Sequence, residues 1–209
     1  VVDLVIPVKH LDRAKSRLRG AVPGGAAAHR DLVLALLVDT LTAATAASGV
    51  RRVLVVCEDE RVSAAVRATG AECVDERGLP GLNAALRFGA DRLRAEDTGA
   101  AVGALQADLP ALRPAELAAA VAEADGRRAF AADRDGTGTT LLIAAPGTAL
   151  DPRFGPGSAL AHARDAVRIG MSSDTLRCDV DTAGDLAEAL TLGVGARTAQ
   201  IVDGVRRVC

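Results

Sequence analysis

The chain has 209 residues, 49% of them apolar, which gives room for one sizeable α/β core or two very small domains. Three Phe and no Trp or Tyr argue against an aromatic stacking platform for single-stranded nucleic acid, and a net charge of -2 leaves no global basic field for DNA. No apolar run approaches membrane-spanning length, the N-terminus is patterned as a strand rather than a signal peptide, and Cys57, Cys73, Cys178 and Cys209 form no C-x-x-C pair, so free thiols in a reducing cytoplasm are expected.

Residues 1–8 are apolar and rich in β-branched side chains, which predicts a strand ending near Pro7. A basic segment follows, with Lys9, Arg13, Lys15, Arg17 and Arg19 on a loop and helix, and then a glycine-rich loop at 20–25. Helical periodicity covers 27–47, a second strand 52–57, a helix 59–69 closed by Gly70, a short strand 72–75 and a helix 79–94. The run 100–107 reads as a buried strand that Asp108-Leu109-Pro110 terminates, because proline donates nothing to a ladder and restricts its predecessor. A helix over 114–124 starts on proline, a favoured first-turn residue, and two strands, 128–132 and 139–145, flank a turn. Beyond them lie a helix over 157–168, a strand over 175–180 and a helix over 182–191 capped by Thr182, while the tail 193–209 is weakly patterned. The alternation predicts one domain with a mainly parallel sheet covered on both faces.

Ligands of open α/β sheets bind outside the carboxyl ends of the strands, where Asp108 stands without a basic neighbour in sequence. The alternative is a turn or helix-capping aspartate. In Asp179-Val180-Asp181-Thr182, strand alternation puts both carboxylates on one face, tolerable if they are solvated or share a cation. Magnesium takes oxygen ligands, usually one or two carboxylates plus phosphate and water, so a phosphate-bearing substrate is expected if the three aspartates converge. The basic segment could hold a polyphosphate; a solvated helix face is the competing reading, above all for Arg13, Arg17 and Arg19. Gly136-Thr137-Gly138 lacks the third glycine and the following helix of a dinucleotide fingerprint, and no G-x-x-x-x-G-K-[ST] occurs. Phe154-Gly155-Pro156-Gly157-Ser158 opens a helix, so it is either an anion site or a simple N-cap. His162 reads as a surface or core histidine, and His10 and His29 show no metal spacing.

Six segments in this order carry a resemblance over nearly the whole chain. They are Ile6-Pro7-Val8-Lys9 with Ala14-Lys15-Ser16-Arg17-Leu18, then Gly81-Leu82-Asn83-Ala84-Ala85-Leu86, then Asp108-Leu109-Pro110. Asp135-Gly136-Thr137-Gly138-Thr139-Thr140, Phe154-Gly155-Pro156-Gly157-Ser158 and Asp179-Val180-Asp181-Thr182 complete the set. The chain resembles the 2-phospho-L-lactate and phosphoenolpyruvate guanylyltransferases of coenzyme F-420 biosynthesis. The resemblance implies a Rossmann-like α/β/α sandwich of the nucleotidyltransferase, glycosyltransferase-A-like type. It implies Mg²⁺ on Asp108, Asp179 and Asp181, and the phosphoenolpyruvate or 2-phospho-L-lactate on Thr140, Gly155 and Ser158. Lys9 and Lys15 would face the GTP phosphates, and Gly81 and Asn83 would lie near the nucleoside. The glycine loop usual in sugar-nucleotide enzymes, L-x-A-G-x-G-x-R, is absent after the first strand.

The expected reaction is GMP transfer from GTP to a three-carbon phosphoacid with release of pyrophosphate. A molybdopterin- or sugar-phosphate nucleotidyltransferase and a non-catalytic nucleotide-binding module remain as alternatives.

Overall fold

The computed structural model describes residues 1–11, 14–75 and 78–206. Strand β1 (Val2–Pro7) leads through a 3₁₀ turn (Ser16–Leu18) to α1 (Gly25–Ala46), β2 (Val50–Val56), α2 (Glu60–Ala68) and β3 (Glu72–Val74). Then come α3 (Leu82–Glu96), β4 (Ala101–Leu105), α4 (Pro114–Ala124), and the antiparallel pair β5 (Ala129–Ala132) and β6 (Thr139–Ile143). Helix α5 (Ser158–His162), strand β7 (Val167–Arg168), α6 (Ala183–Leu192) and α7 (Ala196–Arg206) complete the order.

The strands form one sheet in the order β3-β2-β1-β4-β6-β5-β7. Pairing is parallel except that β6 opposes both of its neighbours, so the sheet is mainly parallel, as the alternation predicts. Side chains alternate across it. Leu4, Ile6, Val53, Val55 and Leu105 pack with Leu37 and Leu41 of α1, Val62 of α2 and Leu117 of α4. Val5, Leu54, Val56, Val102 and Ala104 pack with Leu86 and Leu93 of α3 on the other face. Each such valine, leucine or isoleucine side chain contributes roughly 1.5–3 kcal/mol by leaving water, which fixes the three layers. Gly89 lets α3 lie this close: a Cβ there would sit 2.5 Å from Val5 Cγ1.

The chain builds β1, β2 and β3 outward in one direction and then crosses back to place β4 on the opposite side of β1. The carboxyl ends of β1 and β4 therefore border a crevice where the connections diverge, the ligand position of open α/β sheets.

Four local expectations are corrected. The helix expected over 157–168 ends at His162, because Val167 and Ile169 instead donate their amides to Arg128 and Phe130 of the sheet edge, both at 2.9 Å. The strand expected over 175–180 does not form. Its backbone is held by side chains: the Glu116 carboxylate accepts the amides of Thr175 (2.8 Å) and Leu176 (3.4 Å). The Arg177 guanidinium donates to the carbonyls of Ala132 (3.2 Å) and Asp133 (3.0 Å). The weakly patterned tail forms α7, packed on α1, and its first amides are capped from a distance: Asp39 accepts Arg197 N–H at 3.1 Å and Thr198 N–H at 2.8 Å. Gly195 passes Asp39 so closely that a Cβ would collide with it. The basic segment forms one 3₁₀ turn rather than a helix, and Arg13, like Cys209, lies outside the described residues. Cys57, Cys73 and Cys178 are free thiols. Among the described residues no helix is long and apolar enough to cross a membrane.

Candidate active site

A cavity of about 360 Å³ opens at the carboxyl ends of β1 and β4, with Lys9, Lys15, Gln106, Asp108 and Asp181 in its wall. Lys9 is exposed at this wall. Lys15 is brought in by a tight turn. Ala14 donates to the His10 carbonyl at 3.1 Å, its own carbonyl meets His29 Nε2 of α1 at 3.0 Å, and Leu18 is fully buried beneath. Lys15 takes up a left-handed conformation (φ 50°, ψ 47°), which costs a non-glycine residue about 1–2 kcal/mol. The turn sends its ammonium onto the Asp108 carboxylate and onto Asp181 Oδ1 at 2.5 Å.

Asp108 follows β4 and is 7% exposed. Its loop is pinned from three directions. Leu109 N–H donates to Thr40 Oγ1 (2.9 Å), Val180 N–H to the Asp108 carbonyl (3.0 Å), and Gly195 N–H to the Pro110 carbonyl (2.8 Å). Val180 is fully buried, and Asp179 beside it is itself partly buried. Asp181 is about half exposed and stands just before the capping box of α6, in which the Thr182 side chain accepts Asp185 N–H and Asp185 Oδ2 accepts the amides of Thr182 and Asp181. Burial pushes Asp179 up to about 6; the Lys15 charge counters this, and Asp181 and Asp133 add to it. Asp108 Oδ1 is buried without a hydrogen-bond partner, and among the described residues no three acidic, histidine or cysteine side chains stand grouped to hold a metal ion. Lys15 lies between two of the acids instead.

Two participants were missed by sequence reasoning. Gln106 stands two residues before Asp108, and that spacing of two was the available signal. Its backbone N–H reaches the Thr140 carbonyl at 2.9 Å and its amide the Thr139 carbonyl at 3.5 Å, so it links the cavity to β6. Asp133, at the end of β5, accepts the amides of Thr137 (2.8 Å) and Gly138 (2.6 Å) and adds negative potential at Asp179. An aspartate four and five residues before Thr-Gly was its mark.

The 136–140 and 154–158 segments meet. Ala159 N–H donates to the Thr137 carbonyl at 3.1 Å, and the hydroxyls of Ser158 and Thr139 lie 3.2 Å apart. Thr140 is fully buried, with its hydroxyl 3.5 Å from the Ala131 carbonyl. Gly155 has φ +140°, and a Cβ there would meet nothing within 4 Å. Helix α5 has only five residues, and Ser158 N–H is bonded to the Gly155 carbonyl, so little macrodipole faces a ligand here. None of Thr140, Gly155 and Ser158 lines the carboxylate cavity; Thr140 is linked to it through its carbonyl, which accepts Gln106 N–H. Gly81 is the N-cap of α3 at φ +86°. Both ends of the Asn83 amide pair with the Phe154 backbone at 2.9 Å, tying α3 to the 154–158 loop.

The sequence pattern of the family described as "Guanylyl transferase CofC like" matches residues 2–206. The chain belongs to this family. It is 49% identical over 205 residues to the phosphoenolpyruvate guanylyltransferase of Salinispora arenicola, covering 95% of this chain and 92% of that protein. It is 51% identical over 203 residues to the phosphoenolpyruvate guanylyltransferase of Streptomyces scabiei, covering 94% and 93%. A Desulfovibrio desulfuricans structure assigned as a nucleotide-diphospho-sugar transferase has the same fold, with TM-score 0.68, 17% identity and coverage of 99% and 97%. So has 4-diphosphocytidyl-2C-methyl-D-erythritol synthase, with TM-score 0.62, 14% identity and coverage of 91% and 98%. This CofC-like guanylyltransferase therefore has the nucleotidyltransferase fold that its resemblance implies.

Proposed function

We propose that this CofC-like enzyme transfers GMP from GTP to phosphoenolpyruvate, with 2-phospho-L-lactate as second choice of acceptor, releasing pyrophosphate in cytoplasmic coenzyme F-420 biosynthesis. The observation that carries the chemistry is the meeting of Lys15, Asp108 and Asp181 in a cavity at the sheet's divergence point. The acceptor is inferred from relatives of about half identity that carry its name.

A phosphate oxygen of the acceptor attacks the α-phosphorus of GTP, and the bond to pyrophosphate breaks. A phosphate monoester is already anionic, so no protein base is needed, and catalysis consists of positioning and charge neutralisation. Lys9 and Lys15 stabilise negative charge on departing pyrophosphate. Asp108, Asp179 and Asp181 are oxygen donors of the kind a hard dication takes, and Asp108 Oδ1 is buried without a partner; Lys15 stands between Asp108 and Asp181, so holding the ion there would require its ammonium to move off them. Mg²⁺ held there would supply Lewis-acid polarisation and neutralise phosphate charge. Thr140, Gly155 and Ser158 hold the acceptor, and Gly81 and Asn83 border the nucleoside.

Pyrophosphate release from GTP, measured in parallel with phosphoenolpyruvate, 2-phospholactate and 3-phosphoglycerate, tests the reading. Release with phosphoenolpyruvate is expected; release with 3-phosphoglycerate alone, or with none of the three, would contradict it.

A further inference from the structure

His29 is a buried side chain of α1, 5% exposed, that lies outside the wall of the carboxylate cavity. Further along the same helix Val33, Leu36 and Leu37 form part of that wall, so His29 continues the helix face that the cavity uses. Its Nε2 lies 3.0 Å from the Ala14 carbonyl oxygen. A carbonyl oxygen can only accept, so Nε2 carries a proton and donates it. Nδ1 is buried as well and has no hydrogen-bond partner. A buried polar atom left unsatisfied is costly, and a leucine would fill the place without that cost. What the imidazole has that a leucine lacks is the bond to Ala14.

That bond bears on Lys15, because the Ala14 carbonyl and the Lys15 N–H belong to one rigid peptide plane. Turning the plane changes ψ of Ala14 and φ of Lys15 together. Lys15 stands at φ 50° and ψ 47°, a region that a residue with a side chain keeps only where its surroundings hold it. Downstream, the Lys15 carbonyl accepts Leu18 N–H at 2.9 Å above the fully buried Leu18 side chain. Upstream, Ala14 N–H donates to the His10 carbonyl at 3.1 Å, and His29 holds the plane between Ala14 and Lys15 from a helix packed into the core. From this backbone the ammonium reaches Asp108 and Asp181. We propose that His29 is a positioning residue for Lys15: its Nε2–H fixes the peptide plane that gives Lys15 its left-handed turn, and so aims the ammonium into the cavity. Without the bond the plane turns, Lys15 relaxes to negative φ, and the ammonium loses its aim, while Leu18 still anchors the segment. The proposal rests on the reading of Lys15 as the cation for the GTP phosphates.

Steady-state kinetics in a double-mutant cycle with Lys15 test it. His29→Leu fills the space and removes the donor, so kcat/KM for GTP should fall about tenfold, the worth of one hydrogen bond, with kcat falling too. His29→Gln keeps an amide donor in the place of Nε2 and should recover most of the loss. In a Lys15→Ala background His29→Leu should change kcat/KM by no more than about twofold, because the ammonium it positions is gone. A residue that only supports the fold would lower the rate by the same factor in both backgrounds. Equal factors in the two backgrounds, or His29→Gln as impaired as His29→Leu, overturn the proposal while the reading of Lys15 stands. If Lys15→Ala alone leaves the GTP kinetics unchanged, the reading of Lys15 falls first, and the proposal falls with it. Imidazole ¹⁵N shifts of the wild-type protein should show a proton on Nε2 of His29. The Nδ1–H tautomer would overturn the proposal with no variant needed, so the test holds even where the His29 variants do not fold.

Discussion

The ammonium of Lys15 hydrogen-bonds the carboxylate of Asp108, 93 positions away in the chain, from a backbone held in the left-handed region. The same ammonium reaches Asp181. A cation clamped between two acids has little freedom to lose when phosphates arrive, so it is preorganised for charge developing on a leaving group. Lys15→Ala should lower kcat/KM for GTP by about 10²–10³, as loss of a positioned charge donor does, with a fall in kcat included. Exposed Lys9 should matter less, about tenfold on its removal. Steady-state kinetics with each substrate varied checks both; wild-type kinetics in Lys15→Ala would make the lysine only a neutraliser of Asp108.

The carboxylates themselves should be needed for turnover and dispensable for the fold. Asp108→Asn or Asp181→Asn should abolish pyrophosphate release at saturating Mg²⁺ while circular dichroism stays native. Asp179 is held well above its ordinary value by burial, so its ionised form opposes folding at neutral pH. Asp179→Asn should raise Tm at pH 7 in chelator by the equivalent of about 1–3 kcal/mol. A lower Tm would mean that Lys15 more than compensates the charge.

His162 gives stability a pH dependence of known sign. Its folded value is about 4 against 6.5 for the free side chain. Above pH 6.5 the ring is neutral in both states. As pH falls through the interval between 6.5 and about 4, the unfolded chain binds a proton that the folded one refuses, and stability is lost, on the order of 3 kcal/mol in full. Asp179 acts in the opposite sense over an overlapping interval, binding its proton more tightly when folded. The quantity to measure is therefore the difference in unfolding free energy between wild type and His162→Asn from pH 7 to pH 4.5. Wild type should lose its relative advantage as pH falls, and a flat difference would contradict the buried neutral ring.

Gly155 tests the acceptor loop from the steric side. A side chain there would meet no protein atom within 4 Å, but φ is +140°, so valine brings backbone strain and fills open space. Gly155→Val should raise acceptor KM more than Ser158→Ala does, and GTP binding measured without acceptor should hardly change. Loss of GTP binding with intact acceptor saturation would reassign the loop to the nucleotide.

What could be read from sequence was what local chemistry dictates. The strand stop at Asp108-Leu109-Pro110, the cap at Thr182 and the proline start of α4 each need only neighbours within a turn, and each is present. The misreadings share one cause, satisfaction of the backbone from afar. Residues 175–180 look like a strand, yet Arg177 and Glu116 replace the ladder. Helix α7 has its first amides capped by Asp39 across 158 positions. In the same way the grip of Lys15 on Asp108, and the paired ends of the Asn83 amide, join segments far apart in sequence. The chain order of motifs names candidate residues without showing which of them touch.

The central claim is that the acceptor's phosphate oxygen attacks the α-phosphorus of GTP. It is tested most directly with phosphoenolpyruvate carrying oxygen-18 in its phosphate, followed by ³¹P NMR and mass spectrometry of both products. The account predicts that the whole label stays in the guanosine adduct, with labelled oxygen in its new phosphorus–oxygen–phosphorus bridge, and that pyrophosphate is unlabelled. Label in the released pyrophosphate, or GMP and inorganic phosphate in place of an adduct, would contradict it.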